Sequence, residues 1–456
     1  MKKGNQRVIK GWIFYDWANS VYNLVISSAI FPIFYSNITK SHYLDSVGRK
    51  ELLPDENVMV EFFGNTLSNS VLFSYVLAAS FLVVSILSPI LSGIADVSGS
   101  KKRFMQFFCY VGGFSSISLF WFSPDHIEWG MLSIFMASIG FWNSLVFYNA
   151  FLPEIAEPKN HDNISARGFS MGYFGSMILL VGCLAIIMLV DKEYTKYSFI
   201  LVGLWWMGFA QVTFKRLPHN LYKRDVSSGY IWKGFKELKG VFQEFRKTRR
   251  LKRFLMSFFF FNTGVQTVML MAVVFAKKEI YWGDAGGDAG LIVAILLIQI
   301  LGAGGAYLMS WISSLIGNLK TLIFIVIGWI ILCIWAYWIQ TPTEFYFLAS
   351  GVGLVMGGVQ ALSRSTYSKF LPTTDNHASY FSFYDVAEKV GIVLGLFFFG
   401  LMEYLTGDLR ASVLSIVVFF AIGLVLLLFV PRKESEKGSR VLSASRLRKL
   451  AKKEEV

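Results

Sequence analysis

Long runs of apolar residues alternate with short polar connections along most of the chain. A helix that crosses the roughly 30 Å hydrocarbon core of a bilayer needs about 20 mostly apolar residues. Segments of this length satisfy their backbone hydrogen bonds in lipid as helices rather than as barrel strands. The pattern predicts twelve spanning helices, over residues 12–36, 68–92, 104–123, 129–151, 168–190, 197–214, 254–276, 289–311, 320–340, 344–366, 379–402 and 410–430.

The longest polar connection divides the predicted helices into six and six. A weak repeat supports this division, because the sequence Phe-Leu-Pro follows both the fourth helix (151–153) and the tenth helix (370–372). Six helices separate the copies, so the repeats run parallel, as in transporters built from two six-helix halves. We therefore predict an all-α integral membrane protein with two pseudo-symmetric six-helix bundles. The predicted parts are bundles at 1–216 and 254–430, a basic linker at 217–253 and a basic tail at 431–456.

The linker contains an amphipathic stretch at residues 230–247. Five apolar side chains recur there at helical spacing, and lysines and arginines occupy the other positions. The apolar positions are Ile231, Phe235, Leu238, Phe242 and Phe245. This pattern predicts a helix on the anionic inner leaflet that tethers the two bundles. A calmodulin-target-like or nucleic-acid-binding segment is the alternative interpretation.

The composition excludes most other classes of protein. Of the 456 residues, 54% are apolar, 17% aromatic and 16% charged, and the mean hydropathy is +0.52. A soluble enzyme could not shield that much apolar surface, and a disordered chain would be far more polar. The five histidines lack metal-ligand spacing and the three cysteines lie in separate helices. We predict no enzyme activity, no catalytic residue, no metal and no cofactor.

The net charge of +13 is explained by where the basic residues fall. Of the 43 lysines and arginines, 34 lie on the side of the predicted termini and 8 in the opposite loops. By the positive-inside rule both termini are cytoplasmic, in the inner or plasma membrane of the cell. Anionic lipid is then the partner of the basic segments, and no nucleic-acid partner is required. We expect a monomer.

The loop after the second helix combines glycines, one acid and three cations. It runs from Gly93 to Arg103 with the sequence GIADVSGSKKR. Glycines suit a tight turn, and an acid can lie against a helix N-terminus while the cations face the cytoplasm. The loop resembles the corresponding signature of the major facilitator superfamily, in which it latches the cytoplasmic gate against helix 11. The residues that match this gating motif are Gly93, Asp96, Gly99, Lys101, Lys102 and Arg103.

The equivalent loop of the second half has Ser314 where the acid would stand. A second latch is therefore expected to lack its charge.

Further motifs narrow the resemblance within the superfamily. They are FYDWANSVYN (14–23), FYNAFLPEIA (147–156), SARGFSMGYFG (165–175), GGVQALSRSTYSKFLP (357–372) and FSFYDVAEKVG (381–391). Together they resemble the branch that contains the fungal autophagy-related vacuolar amino-acid effluxers and many bacterial proteins. The resemblance implies movement of amino acids or similar metabolites. Helix 7 of that branch usually has an acid where this chain has Thr263, so a coupling role of that acid is not carried over.

Polar residues inside the predicted spans indicate the transport path, because such residues tend to face a cavity. Asp16, Asn19 and Asn23 form one stripe on the first helix. The predicted solute contacts are Asn19, Asn23, Asn143, Asn262, Gln266 and Gln360. The alternative interpretation is that these amides only join helices by hydrogen bonds, worth about 0.6 kcal/mol each.

The charged residues inside the spans divide into a gate and a coupling set. Asp385 and Lys389 are four residues apart and can neutralise each other, so we group them with Arg364 as gating residues. Glu388 is then the acid with the least obvious partner, and Asp16 has no cation nearby in sequence. These two acids are the predicted proton-coupling residues.

These features predict a secondary active transporter of a small polar solute that works by alternating access and is coupled to protons or to another cation. Two alternatives stay open from the sequence. One is a cation-coupled sugar symporter of similar architecture. The other is a non-transporting membrane receptor or lipid-handling protein.

Overall fold

Helices account for nearly all of the structure, a computed structural model that describes residues 3–53, 56–189, 191–219, 230–282 and 287–432. Each predicted span corresponds to one helix in these residues, which confirms the all-α membrane architecture. We number the helices α1 to α12. Their bounds are Gln6–Ser46, Asn69–Ser98, Lys101–Ser118, Ile127–Ala150, His161–Leu189, Tyr197–Arg216, Arg249–Glu279, Gly287–Ile316, Asn318–Ala336, Pro342–Phe370, His377–Thr406 and Leu409–Leu428.

Eleven helices of the described chain are long and apolar enough to cross a membrane. The remaining numbered helix is α11, which has 30 residues and carries three charged side chains in its interior. Those charges are Asp385, Glu388 and Lys389. Partners on neighbouring helices surround them, as detailed below.

Helix α1 extends ten residues beyond the predicted end of the first span. Its middle turns, Tyr22–Ile30, are π-helical and lead into α-helix again from Phe31 to Ser46. Pro32 explains this change, because its ring lacks an N–H and would clash with the carbonyl four residues earlier in regular α-helix. The wider π turn accommodates the proline, so the helix continues.

A small hairpin follows α1 at the end of the bundle opposite the start of α1 and the end of α12. Strand β1 (Met59–Phe62) pairs antiparallel with β2 (Asn65–Ser68). The turn residues Phe63 and Gly64 have φ of 47° and 76°. Two positive φ values in a two-residue turn match the twist of the flanking strands.

We call the end of the bundles that carries Lys3, Lys102 and Lys369 the basic face, and the end that carries the hairpin the opposite face. Helices α1 to α6 form the first bundle and α7 to α12 the second. The bundles meet where α5 packs against α8 and α10, and where α11 packs against α2 and α4.

The linker forms a helix at Tyr230–Lys247 that packs on the basic end of α2. The Gly234 carbonyl lies 2.6 Å from the position that a Gly93 Cβ would occupy, so this approach depends on glycine. Phe245 is buried, whereas Phe242, also predicted on the apolar face, is 47% exposed. Both rings contact Phe383 of α11. The helix therefore touches both bundles.

Much of the predicted tail and part of the predicted linker fall outside the described chain. Residues 220–229 of the linker and 433–456 of the basic tail are not among the residues that the structure describes.

Candidate functional site

The described hydrogen bonds and ion pairs between the two bundles all lie in the half of the molecule next to the basic face. They form three levels. The first is at the helix ends and the second surrounds Arg364. The third is near Lys389, where the Ser88 hydroxyl of α2 donates to Asp385 of α11 at 3.1 Å and the Lys389 ammonium lies over the Trp142 ring of α4.

Asp96 joins the end of α2 to the start of α11. Its carboxylate accepts the backbone N–H groups of Ala378 at 3.2 Å and Ser379 at 2.7 Å, and also the Ser379 hydroxyl at 2.8 Å. These N–H groups belong to the first turn of α11, where a helix favours negative charge. Gly99 ends α2 with φ of 66°, which lets the chain turn sharply into α3. The contact that the superfamily resemblance implies is thus present.

The cations of this loop do not all face outward as the sequence suggested. The side chain of Lys101 is 6% exposed and lies 3.7 Å from Asp96, and it also pairs with Glu154. Glu154 in turn contacts His377 Nδ1 at 3.0 Å. Lys102 is also buried, and its Nζ donates to the Leu217 carbonyl at the end of α6.

Arg103, the third cation of the loop, is exposed as expected.

A second latch is present and carries a charge, contrary to the expectation from Ser314. Asp162 at the start of α5 accepts the Ser313 hydroxyl at 3.0 Å and the Asn318 amide at 2.7 Å. Lys369 Nζ pairs with the same carboxylate at 2.6 Å. The acid comes from the first bundle, whereas Ser314, in the last turn of α8, is exposed and donates to the Trp311 carbonyl of the same helix.

Arg364 of α10 supplies the cation that Asp16 lacks in its own helix. Its Nη2 lies 3.1 Å from Asp16 Oδ2, and both side chains are buried. Tyr148 donates to the same Asp16 oxygen at 2.8 Å, and Arg364 Nε donates to the Ser165 hydroxyl at 2.9 Å. A Cβ on Gly168 would lie 2.3 Å from Asp16 Oδ2, so only glycine leaves room for the pair.

We call the interface between the two bundles the seam. Two hydrogen bonds extend its polar contacts from Arg364 toward the centre of the molecule. Ser170 donates to the Ala303 carbonyl at 2.8 Å. Tyr173 donates to Gln360 Oε1 at 2.6 Å. Gln360, which was predicted to contact solute, therefore accepts a hydrogen bond from the other bundle in this conformation.

The third level is a charged cluster on α11. Lys389 Nζ lies 3.1 Å from Asp385 and 2.9 Å from Glu388, and 3.4 Å from the centre of the Trp142 ring. Glu388 also accepts the Gln266 amide at 2.8 Å. Glu388 is thus paired, whereas the sequence indicated no obvious partner for it. The cluster holds two carboxylates and one ammonium, and the Glu388 side chain is its most exposed member at 17%.

The remaining predicted amides differ in their surroundings. Asn19, Asn143 and Asn262 are buried, and each has one side-chain atom without a hydrogen-bond partner within the described structure. An unpaired buried amide atom is costly and can be satisfied by a ligand or by water. Asn23 is exposed in the π-helical part of α1.

Several seam residues were not identified from the sequence. They are Ser88, Trp142, Glu154, Asp162, Ser165, Tyr173, Lys369 and His377. Their partners are mostly more than 100 positions away. Glu154 lies within a motif that was singled out, FYNAFLPEIA, but nothing local marks Asp162.

Comparison with known proteins agrees with the architecture. A family model described as vacuole effluxer Atg22 like matches residues 4–440. An uncharacterized MFS-type transporter of Bacillus subtilis, YxiO, is 30% identical over 442 residues, covering 94% of this chain and 96% of YxiO. Autophagy-related protein 22 of Saccharomyces cerevisiae is 24% identical over 528 residues, covering 98% of this chain and 96% of that protein.

Solved structures share the fold at low sequence identity. The proton:xylose symporter XylE matches with a TM-score of 0.67 at 13% identity, covering 94% of this chain and 96% of XylE. FucP, a major facilitator transporter in the outward conformation, matches with a TM-score of 0.61 at 12% identity, covering 94% and 99%. These likenesses concern the fold alone. The family match spans both bundles and the linker, and the chain therefore belongs to the Atg22-like effluxer family of the major facilitator superfamily, as a multi-pass membrane transporter.

Proposed function

We propose that this chain is a secondary active transporter that moves a small polar solute by alternating access. The observation that carries the proposal is the confinement of the described inter-bundle contacts to the basic half of the seam. Rocking of two bundles about a central site would open one face as it closes the other. The conformation with a closed basic face is one end of such a cycle.

We propose that the basic face is cytoplasmic and that the protein lies in the cell membrane. The excess of lysine and arginine in the connections at this face supports the orientation. The conformation in which the basic face is closed is then the one open toward the outside. Both termini are cytoplasmic.

We propose an amino acid or a related zwitterion as the solute. The charged cluster offers a carboxylate at Glu388 and an ammonium at Lys389, which complement the two charges of a zwitterion. Gln266 and Asn262 on α7, with Asn19, Asn23, Asn143 and Gln360, are the proposed further contacts. The resemblance to amino-acid effluxers points to the same class.

We assign the coupled proton to Glu388 rather than to Asp16. The described cluster of two carboxylates and one ammonium carries one net negative charge, so one proton neutralises it. The Asp16–Arg364 pair is already neutral, and a proton on Asp16 would leave a buried guanidinium uncompensated. We therefore place Asp16 with the gating residues.

Substitution of Glu388 tests this assignment in proteoliposomes. We expect Glu388→Gln to abolish accumulation of the solute against its gradient when a proton gradient is imposed, while exchange of labelled for unlabelled solute continues with a raised KM, because the amide no longer pairs with the ammonium of the solute. The reason is that an amide keeps hydrogen bonds to Gln266 and Lys389 but cannot carry the proton. Glu403→Gln, at an exposed acid on the same helix, is the matched control. Normal accumulation by Glu388→Gln would contradict the assignment.

The solute class is tested by thermal protection of the purified protein. A ligand at 100 times its dissociation constant stabilises the folded state by about 2.7 kcal/mol. We expect protection by amino acids, followed by saturable flux of the hits. Protection by sugars and not by amino acids would favour the sugar-symporter alternative and contradict the proposed class.

A further inference from the structure

A cavity of about 610 Å³ lies at the basic face beside the seam. Its lining includes five cationic side chains and, among the described residues, no Asp or Glu. The cations are Lys159, Arg250, Lys320, Lys369 and Arg432. Two of them already pair with carboxylates outside the lining, Lys369 with Asp162 at 2.6 Å and Lys159 with Glu157 at 2.9 Å. The five cations outnumber these two carboxylates, and an anion in the cavity would offset like charge.

The cations come from both bundles. Lys159 precedes α5 in the first bundle, whereas Lys320 and Lys369 belong to α9 and α10 of the second. Lys369 also reaches Asp162 of the first bundle. An anion in this cavity would therefore be held by both bundles at once.

The start of α9 adds further favourable contacts. Gly317 and Asn318 line the cavity, and the 19-residue helix begins there without a side-chain cap. The N–H groups of a first helical turn point outward and favour negative charge. Basic pockets between membrane helices on the cytoplasmic side suit the head groups of anionic lipids.

We propose that this cavity binds a phosphate-bearing anion that bridges the two bundles and favours closure of the basic face. This role is separate from solute binding, because the cavity lies at the outer edge of the seam and shares no residue with the Glu388 cluster. A lipid head group and a soluble phosphate compound have the same recognising chemistry. The experiment separates the two sources.

The test compares two double variants of the full chain in nanodiscs. Lys320→Gln/Arg432→Gln removes two exposed cations of the cavity, and Arg7→Gln/Lys10→Gln removes two exposed cations elsewhere on the basic face. The lipid arm compares thermal midpoints in phosphatidylglycerol and phosphatidylcholine. The soluble arm titrates inorganic phosphate and pyrophosphate in phosphatidylcholine at constant ionic strength.

We expect one arm to stabilise the wild type, and the cavity variant to bind that anion about 30-fold more weakly, given about 1 kcal/mol per basic residue near an anionic surface. The control variant should bind as the wild type does. A response in the lipid arm alone identifies a head group, and a response to phosphate in phosphatidylcholine identifies a soluble anion. No response in either arm, or equal losses in both variants, would overturn the site.

Bridging of the two bundles is tested separately with Lys159→Gln. We expect this variant to bind the same anion several-fold more weakly, because Lys159 is the first-bundle cation of the cavity. Unchanged affinity would overturn the bridging role.

Discussion

At the scale of single residues, the charges buried in this protein find partners that are remote in the sequence. Asp16 and Arg364 are 348 positions apart and meet at 3.1 Å. Tyr148 and Ser165 complete the hydrogen bonds of the pair, which offsets part of the cost of removing two charges from water. Because its members lie in different bundles, the proposed transport cycle would break the pair whenever the basic face opens.

Removal of one member of this pair should be far more damaging than removal of both. Asp16→Asn leaves Arg364 buried without its carboxylate, which costs about 3–5 kcal/mol. We expect a marked fall in thermal midpoint and partial recovery in Asp16→Asn/Arg364→Gln. Glu403→Gln breaks the exposed pair with Lys278 and should cost only about 0–1 kcal/mol. Additive losses in the double variant would show that the two charges do not stabilise each other.

At the scale of elements, the hydrophobic pattern located every helix but not every helix end. Several helices extend beyond the apolar run, because a helix continues into polar sequence wherever its backbone bonds can still form. Helix α1 is the clearest case, since it passes Pro32 by way of π turns and reaches Ser46. The linker helix has the bounds that the sequence predicted. Its contact with α2 depends on the close approach of Gly93 and Gly234, and the hydrophobic pattern could not predict this contact because glycine has no apolar side chain.

Gly93→Leu should displace the linker helix without unfolding the bundles. Its side chain would collide with the Gly234 carbonyl and with Leu238. We expect faster hydrogen exchange over 230–247 and little change in α2. Gly400→Leu is the matched control, because no atom lies within 4 Å of the position of its Cβ. Unchanged exchange in Gly93→Leu would mean that the linker helix is held by other contacts.

The connection between α1 and the hairpin should depend on pH through Glu56. The Arg49 guanidinium, the Leu53 N–H and the Tyr43 hydroxyl lower the pKa of Glu56 to about 2. A carboxyl whose pKa is lower in the folded state stabilises it above the unfolded pKa of about 4.3, and loses that effect as the pH falls toward the folded value. We expect the protection of amides over 47–53, relative to the intrinsic exchange rate at each pH, to fall between about pH 4 and 2.

Glu56→Gln provides the comparison for this pH effect. It should show the lower protection over 47–53 already at neutral pH and no further loss of protection between about pH 4 and 2. The same pH response in both proteins would rule out Glu56 as the cause.

At the scale of the whole molecule, the seam between the bundles is polarised. The acids of the outer contacts, Asp16, Asp96 and Asp162, all belong to the first bundle, and the cation or N–H groups that each binds across the seam belong to the second. Asp96 pairs in addition with Lys101 of its own bundle. The pseudo-symmetry of the fold is therefore not repeated in its charges. Both latches join an acid of the first bundle to donors of the second, so we expect them to stabilise the closed basic face together.

Loss of both latch acids should open the basic face. Hydrogen bonds to charged groups contribute about 1.5–3 kcal/mol each, so Asp96→Asn/Asp162→Asn should shift the equilibrium about ten-fold or more toward opening. Opening is measured by maleimide labelling of Ala361→Cys, at a fully buried seam position, in a protein whose three native cysteines have been replaced. Asp45→Asn/Asp125→Asn, at exposed acids of the opposite face, is the control. Equal labelling in all variants would contradict the latch role.

The sequence by itself determined the twelve helices and the family, because span length, the repeat and the motifs are local or periodic properties. It also located the acid of the first latch, since the motif of Asp96 is contiguous. Only the tertiary structure decided which charges are paired. Arg364 meets Asp16, and Asp162 provides the charge that Ser314 does not. Pairing across a seam depends on how two bundles pack, and neither spacing nor composition encodes that arrangement.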